Sequence, residues 1–413
     1  MSENDVTPAF PDVDPQRWWE RQRETLVAWA GRAAHANGVQ WLDDDGEPMR
    51  ERGVQTWLTA RATHVGALAW RHGTVGARAI AELGVRALLG PLRDETHGGW
   101  FTGVDEAGVE REPTKSAYTH AFVLLAGATA ASAGVSGGRE LLDRAAAVVL
   151  ERFWDDEAGL AHEDWDRAWE VPEPYRGANS NMHMVEAFLA TAAATSDPTW
   201  ARRAARIADF LIVRQASAFG DRLPEHFSPE WEPLPEYNSD RKADPFRPYG
   251  WTPGHSLEWA RLLLHIEAAL PEGSATFVEH ARRLADTAVR HAWAKDGSDG
   301  FCYTLDWSDR PVVGLRMHWV AAEAIAAAEA LHRRTGEDRY RALADDVWGH
   351  VRRHFVDSGN WHHELDAQLR PSTTIWQGRP DIYHAYTAIA VSADLPVPGF
   401  AVRTPAHDAA PNH

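Results

Sequence analysis

The chain has 413 residues, of which 44% are hydrophobic and 20 are Trp, enough to bury a large core. A formal net charge of −18 argues against partners that demand a basic patch, nucleic acid and anionic membrane alike. The single cysteine, Cys302, excludes an internal disulfide; with no basic and apolar leader and no apolar run of about 18 residues, a cytoplasmic protein is expected.

Residues 1–14 and 398–413 are Pro- and Asp-rich without periodicity and are expected to be loose ends around a single domain, 15–397. Apolar spacing of 3 and 4, as in Val320, Ala324, Ala327 and Leu331, predicts twelve helices. In chain order they are 15–35, 54–72, 77–93, 115–134, 138–153, 179–194, 198–216, 255–270, 275–293, 316–335, 338–355 and 380–393. The odd members carry charges such as Arg202, Arg203, Arg206 and Asp209 and read as amphipathic outer helices. The even members are Ala-rich, as at Ala187, Ala190 and Ala192–Ala194, and read as enclosed inner helices.

Six turns repeat one pattern of Gly or polar residues with an aromatic or His, roughly every 60 to 75 positions. They are Gln40–Asp43, Gly98–Phe101, Gly159–Glu163, Leu223–Phe227, Gly300–Tyr303 and Gly359–Glu364. Stacked two-helix units at a fixed period predict an all-α fold, a closed ring of twelve helices with short hairpin-like turns. The inner helices start with polar residues: Arg61 and His64, Tyr118 and His120, Asn179, Asn181 and His183, His255 and Glu258, Arg316 and His318, and His384. Polar groups on buried helices cost free energy unless paired or used, so one set per helix at one end describes a cavity mouth. The stretch from Arg222 to Pro253, with Phe227, Trp231, Tyr237, Phe246, Tyr249 and Trp251, is too aromatic for a disordered loop and is read as an ordered flap.

Thr252-Pro253-Gly254-His255-Ser256-Leu257-Glu258 reads as a helix start with Thr252 as N-cap and Pro253 in the first turn. His255 and Glu258 are three apart and share a face, so the carboxylate is expected to fix the imidazole tautomer. Asp381-Ile382-Tyr383-His384 opens the last inner helix, and two histidines at matching positions suit acid/base work near neutral pH. Arg61 is read either as an internal salt bridge or as a cation that steadies an enediolate oxygen. His362-His363-Glu364 lacks a metal-ligand spacing, and no H-E-x-x-H occurs, so neither metal nor cofactor is expected. Gly134-Val135-Ser136-Gly137-Gly138 matches G-x-S-x-G in form but joins two helices, and is read as a loop.

These residues together resemble the N-acylglucosamine 2-epimerase superfamily, in its mannose isomerase and sulfoquinovose isomerase branch. The likeness runs from about Trp18 to Leu395 and rests on Thr56–Arg61, Asp94–Trp100, Tyr175–His183, Thr252–Trp259 and Gln377–His384. The resemblance implies an (α/α)6 barrel and metal-independent aldose–ketose isomerisation of an unphosphorylated hexose, with D-lyxose/D-xylulose as a side reaction. It casts His384 as the base moving a proton between C2 and C1 through a cis-enediol. His255 would open the ring, Glu258 would assist proton movement between oxygens, and Arg61 and His183 would hold substrate oxygens. Asn179, Tyr118, Phe246, Arg247, Trp251 and Trp319 are the further substrate-binding candidates. Pro245 stands where the sulfosugar branch carries an Arg, and Trp251 where it carries a small residue; both favour a neutral C6 hydroxyl, although Arg247 remains. The rivals are a sulfoquinovose isomerase, a mannose/glucose 2-epimerase and, from another class, a glycoside hydrolase, which needs two carboxylates about the scissile bond. The expected partner is a small monosaccharide, and the polar outer helices suit a monomer or homodimer.

Overall fold

The computed structural model of the chain describes residues 10, 13–111, 114–272, 276–357 and 360–405. Among them, twelve α-helices alternate between two concentric rings. The outer ring is α1 (Pro15–Arg32), α3 (Ala77–Leu89), α5 (Gly138–Val148), α7 (Pro198–Ala208), α9 (Thr276–Ala292) and α11 (Asp338–His354). The inner ring is α2 (Thr56–Arg71), α4 (Ala117–Ser132), α6 (Ala178–Thr195), α8 (Pro253–Ala269), α10 (His318–Thr335) and α12 (Tyr383–Ser392). Each inner helix packs on the next, and α12 closes the circle against α10 and α2. The architecture is an (α/α)6 barrel.

Patterning explains the two rings. Outer helix α7 buries Trp200, Ala201, Ala204, Ile207 and Ala208, one stripe at helical spacing, and turns Arg202 and Arg206 to solvent. Inner helix α4 buries every residue from Thr119 to Ala130. Small residues let the rings approach: a Cβ on Gly127 of α4 would lie 2.7 Å from the Leu142 nitrogen of α5. The helices predicted to run to 153 and 216 do continue that far, but their last turns widen to π geometry over Val149–Phe153 and Asp209–Ala216.

Short antiparallel ladders just ahead of the inner helices hook each repeat to the next. Val54–Gln55 pairs with Gly103–Val104, Lys115–Ser116 with Asp164–Trp165, Arg176–Gly177 with His226–Phe227, and Arg316–Met317 with Glu364–Leu365. Trp251 bridges Leu305 in the same way, and the Arg379 N–H donates to the Leu42 carbonyl at 3.0 Å to close the ring. The expected hairpins within one turn are thus half the picture. Local ones exist, as at Trp154–Asp155 with Leu160–Ala161, but the ladders between repeats are what align the inner-helix N-termini at one mouth.

The chain ends depart from the expected loose segments. Phe10 packs edge-on against Trp18 and Trp19. Phe400 is buried beneath the opposite end of the barrel and stacks on His265 of α8, centroids 4.8 Å apart, while His265 Nδ1 donates to the Ala401 carbonyl at 3.0 Å. Residues 1–9, 11–12 and 406–413, and Gly359 of the sixth turn, lie outside the described residues. No described helix is long and apolar enough to cross a membrane.

Candidate active site

The first turns of the inner helices converge on a cavity at the mouth. It is lined by Trp57, Arg61, Tyr118, Asn179, His183, His255, Glu258, Trp319, Asp381 and His384, with Pro245, Phe246 and Pro248 from the flap and Tyr303, His318, His363, Trp376 and Pro380 around the rim. The flap is ordered by hydrogen bonds. His226 Nε2 donates to the Pro248 carbonyl at 2.9 Å, Asn238 Nδ2 to the Arg247 carbonyl at 2.7 Å, and Trp307 Nε1 to the Pro235 carbonyl at 2.9 Å. This sets Phe246 edge-on to Trp376, centroids 5.3 Å apart, and close to Tyr118. Trp376 stands on a loop whose Ile375 and Trp376 N–H groups both donate to Glu364.

Two histidines face the cavity from different helices, each tied to a carboxylate through Nδ1. His255 meets Glu225 Oε1 at 3.0 Å, and His384 meets Glu323 Oε1 at 2.9 Å. An ionised carboxylate only accepts; paired with one, Nδ1 carries the proton and Nε2 keeps a free lone pair. Trp319 contacts both rings, 5.2 Å from His255 and 5.8 Å from His384. Burial, reinforced by Arg61, holds His384 well below the ordinary histidine range, so it is a neutral base at neutral pH.

The salt-bridge reading of Arg61 holds. Its guanidinium pairs with Asp381 and donates to the Tyr118 hydroxyl at 2.8 Å, yet it still lines the cavity. Burial pulls Arg61 down, but Tyr118 and Asp381 outweigh it and keep the group cationic. Glu258 is the opposite case: burial, with Glu323 close by, pushes its carboxyl well above the usual range and favours its protonated form. His183, brought down to about 4 mainly by burial, sits over Glu186 and Glu258 at 3.6 and 3.8 Å, beyond hydrogen-bond length.

Three expectations fail here. Glu258 does not orient His255: it lies one turn deeper, beside Arg261 at 3.6 Å, while His255 turns its Nδ1 outward to Glu225 on the fourth repeat turn. Trp251 is no part of the cavity. It occupies the ladder position two residues before α8, which is buried in the wall at Val54, Lys115, Arg176 and Arg316 as well. Arg247 is consumed by a two-pronged ion pair with Glu173, at 2.7 and 2.8 Å, and lines an adjoining polar chamber of about 430 Å³ instead. The other predicted residues, His384, His255, Glu258, Arg61, His183, Asn179, Tyr118, Phe246 and Trp319, are brought together. Of the remaining polar first-turn residues, His120 accepts the Trp100 N–H, Asn181 bonds Ala161 and Gly177, and Arg316 pairs with Asp296; these build turns.

Two triads, His183 with Glu186 and Glu258 and Glu258 with Glu323 and His384, bring three donor atoms within 4.8 Å of one another. Arg261 already supplies a cation there, 3.0 Å from Glu323 and 3.6 Å from both Glu186 and Glu258, so the donor set suits a guanidinium.

A barrel with histidine–carboxylate pairs and a cation about one polar cavity has matches among known proteins, and the family model for N-acylglucosamine 2-epimerase (GlcNAc 2-epimerase) fits residues 38–388. The chain belongs to the N-acylglucosamine 2-epimerase family. A D-mannose isomerase of Thermobifida fusca is 53% identical over 375 residues, 90% of this chain and 92% of that protein. A D-mannose isomerase of Pseudomonas cannabina pv. alisalensis is 44% identical over 90% of this chain and 91% of its own length. A crystal structure of D-mannose isomerase superposes with a TM-score of 0.85 at 26% identity, covering 92% of this chain and 97% of its own. A GH76 α-mannanase of Bacteroides thetaiotaomicron, TM-score 0.64 at 11% identity over 94% of this chain and 98% of that one, shares the fold alone.

Proposed function

We propose that this enzyme is an isomerase that interconverts D-mannose and D-fructose. The observation that carries the reading is the pair of cavity histidines with Nδ1 held by carboxylates and Nε2 free, both in ring contact with Trp319. It is joined by 53% identity to a D-mannose isomerase over most of both chains.

In the reaction, His255 takes the anomeric hydroxyl proton, the C1–O5 bond breaks as the C1 carbonyl forms, and His255 delivers the proton to O5. His384 Nε2 then removes the proton from C2, and the electron pair left behind forms the C1–C2 double bond of a cis-enediol. The C1 oxygen, gaining negative charge, is steadied by Arg61. His384 returns the proton to C1, the O2 proton leaves, and a C2 ketone results. Glu258, whose protonated form burial favours, serves the proton exchange between O1 and O2. Arg61 and Arg261 supply the positive charge a metal would otherwise bring, so the chemistry is metal-independent. With Arg247 bound to Glu173 and Pro245 in the cavity wall, no cation among the described residues that line the cavity stands unengaged for a sulfonate, which favours a neutral hexose.

Incubation with D-mannose, D-glucose and sulfoquinovose, with and without a chelator, followed by chromatography tests this. D-fructose formed from D-mannose, undiminished by chelation, is expected. Glucose as the main product of mannose, a higher kcat/KM on sulfoquinovose, or chelator-sensitive activity restored by a divalent ion would each contradict a part of it.

A further inference from the structure

We propose that Arg261, on α8 beneath the cavity, is a positioning residue that acts on His384 through Glu323; this deepens the reading of His384 as the base. Arg261 is fully enclosed. Its Nε donates to Glu323 Oε2 at 3.0 Å, and the other oxygen of the same carboxylate, Oε1, takes His384 Nδ1–H at 2.9 Å. One carboxylate therefore joins α8, α10 and α12 and presents one oxygen to the cation and one to the base.

The charge state of Glu323 decides whether His384 works. Ionised, it accepts from Nδ1 and leaves Nε2 as a lone pair toward the substrate. Protonated, it donates to Nδ1, and the neutral ring then carries its proton on Nε2, where it cannot act as a base. Three buried carboxyl groups, Glu186, Glu258 and Glu323, surround one guanidinium, so not all of them stay charged. Burial pushes Glu323 up, and Arg261 opposes it more than His183 does. Glu186 has its own partner in the Tyr383 hydroxyl, and Glu258 has no hydrogen-bond donor on Oε1. By making its one direct hydrogen bond to Glu323, Arg261 favours the ionised form of that carboxylate, as its charge also does for Glu186. The Phe400 ring, 4.6 Å below the guanidinium, closes the cluster from the barrel floor and strengthens its electrostatics.

A buried ion pair that only braces three helices would have the same geometry, so the test must read His384 itself. The groups facing His384 are Glu323 and His318 from α10, Arg61 from α2, His183 from α6, Glu258 from α8, and its neighbours Asp381 and Tyr383. Of these, Glu323 is the one hydrogen-bonded to Arg261.

The experiment compares Arg261→Lys, Arg261→Met, Glu323→Gln and the double variant Arg261→Met/Glu323→Gln with the unchanged protein. Folding is followed by thermal unfolding, and kcat and KM for D-mannose are followed against pH. Loss of the cation lets Glu323 bind a proton at higher pH, so the acid limb of kcat in Arg261→Met should move up by about one pH unit or more. At neutral pH kcat should fall roughly 10- to 100-fold with KM little changed, and Lys should restore part of both. A folded Arg261→Met with unchanged kcat and acid limb overturns the proposal. If that variant does not fold, the double variant, which removes one charge of each sign, decides. A kcat equal to that of Glu323→Gln upholds action through Glu323, and a further, additive loss overturns it. Normal C2–H exchange in His384→Asn would instead remove the base assignment on which the proposal rests.

Discussion

Both cavity histidines give Nδ1 to a carboxylate at nearly the same distance, 3.0 Å for His255–Glu225 and 2.9 Å for His384–Glu323, but the carboxylates come from different regions. Glu225 belongs to a repeat turn at the rim, next to His226, whose imidazole ties the flap to the barrel. Glu323 belongs to inner helix α10 and is anchored from below by Arg261. Rim and wall thus give the same tautomer by different means. The rim pair is built on the turn that anchors the flap, and the wall pair is held by three helices. A group that opens and closes a ring can tolerate the first arrangement. A base that must approach a C–H bond at fixed geometry needs the second.

The comparison breaks most sharply if His384 and His255 prove interchangeable. His384→Asn should lower kcat for D-mannose by roughly 10³-fold or more, the upper part of the range for one positioned base. The acid limb adds a sign. The folded-state pKa of His384 lies below the ordinary value near 6.5, so the base stays unprotonated down to that pH and activity should begin to fall only in more acidic solution. An acid limb at or above 7 in kcat against pH would be inconsistent with this base.

Next in size are the rim substitutions. His255→Asn should cost roughly 10²-fold in kcat/KM, and Glu225→Gln should follow it with a smaller loss that does not add to it. Glu258→Gln should not mimic either, because it removes a proton donor in the cavity and leaves the His255–Glu225 bond intact. Parallel kinetics of the single and double variants check the assignment. Strict additivity of His255→Asn and Glu225→Gln would dissolve the pair.

Smaller effects belong to the flap. Phe246→Ala removes the edge contact to Trp376 and should raise KM several-fold with kcat nearly unchanged, by loss of binding shared by ground and transition states. Smallest should be Arg247→Met, which breaks a partly exposed ion pair with Glu173: KM for D-mannose should change less than about twofold, with Tm lowered by a few degrees. A large rise in KM there would return Arg247 to the substrate site.

The rings were legible in the sequence because burial imposes a period, and α7 or α4 shows it without knowledge of neighbours. His384, His255 and Arg61 were legible because a polar group on an Ala-rich helix is an anomaly. Their partners were not. Glu225 lies 30 residues from His255, and Glu323 lies 61 from His384, on elements brought together only by ring closure. Spacing of three within one helix pointed to Glu258 instead, since it says which face two residues share and nothing of which way each side chain turns. Trp251 misled for a related reason. An aromatic in a flap looks like a sugar platform, but its place two residues before α8 commits it to the wall. Phe400 gave no periodic signal, being the one aromatic residue in a tail without helical spacing.

Hydrogen exchange at C2 tests the division of labour between the two histidines most directly. D-mannose in deuterated buffer, followed by NMR alongside turnover, separates proton abstraction from ring opening. His384→Asn should lose both exchange and turnover, whereas His255→Asn should lose turnover of the cyclic sugar while open-chain sugar in the cavity still exchanges slowly. Normal exchange in His384→Asn together with its loss in His255→Asn would show that the base sits at the rim and contradict the account.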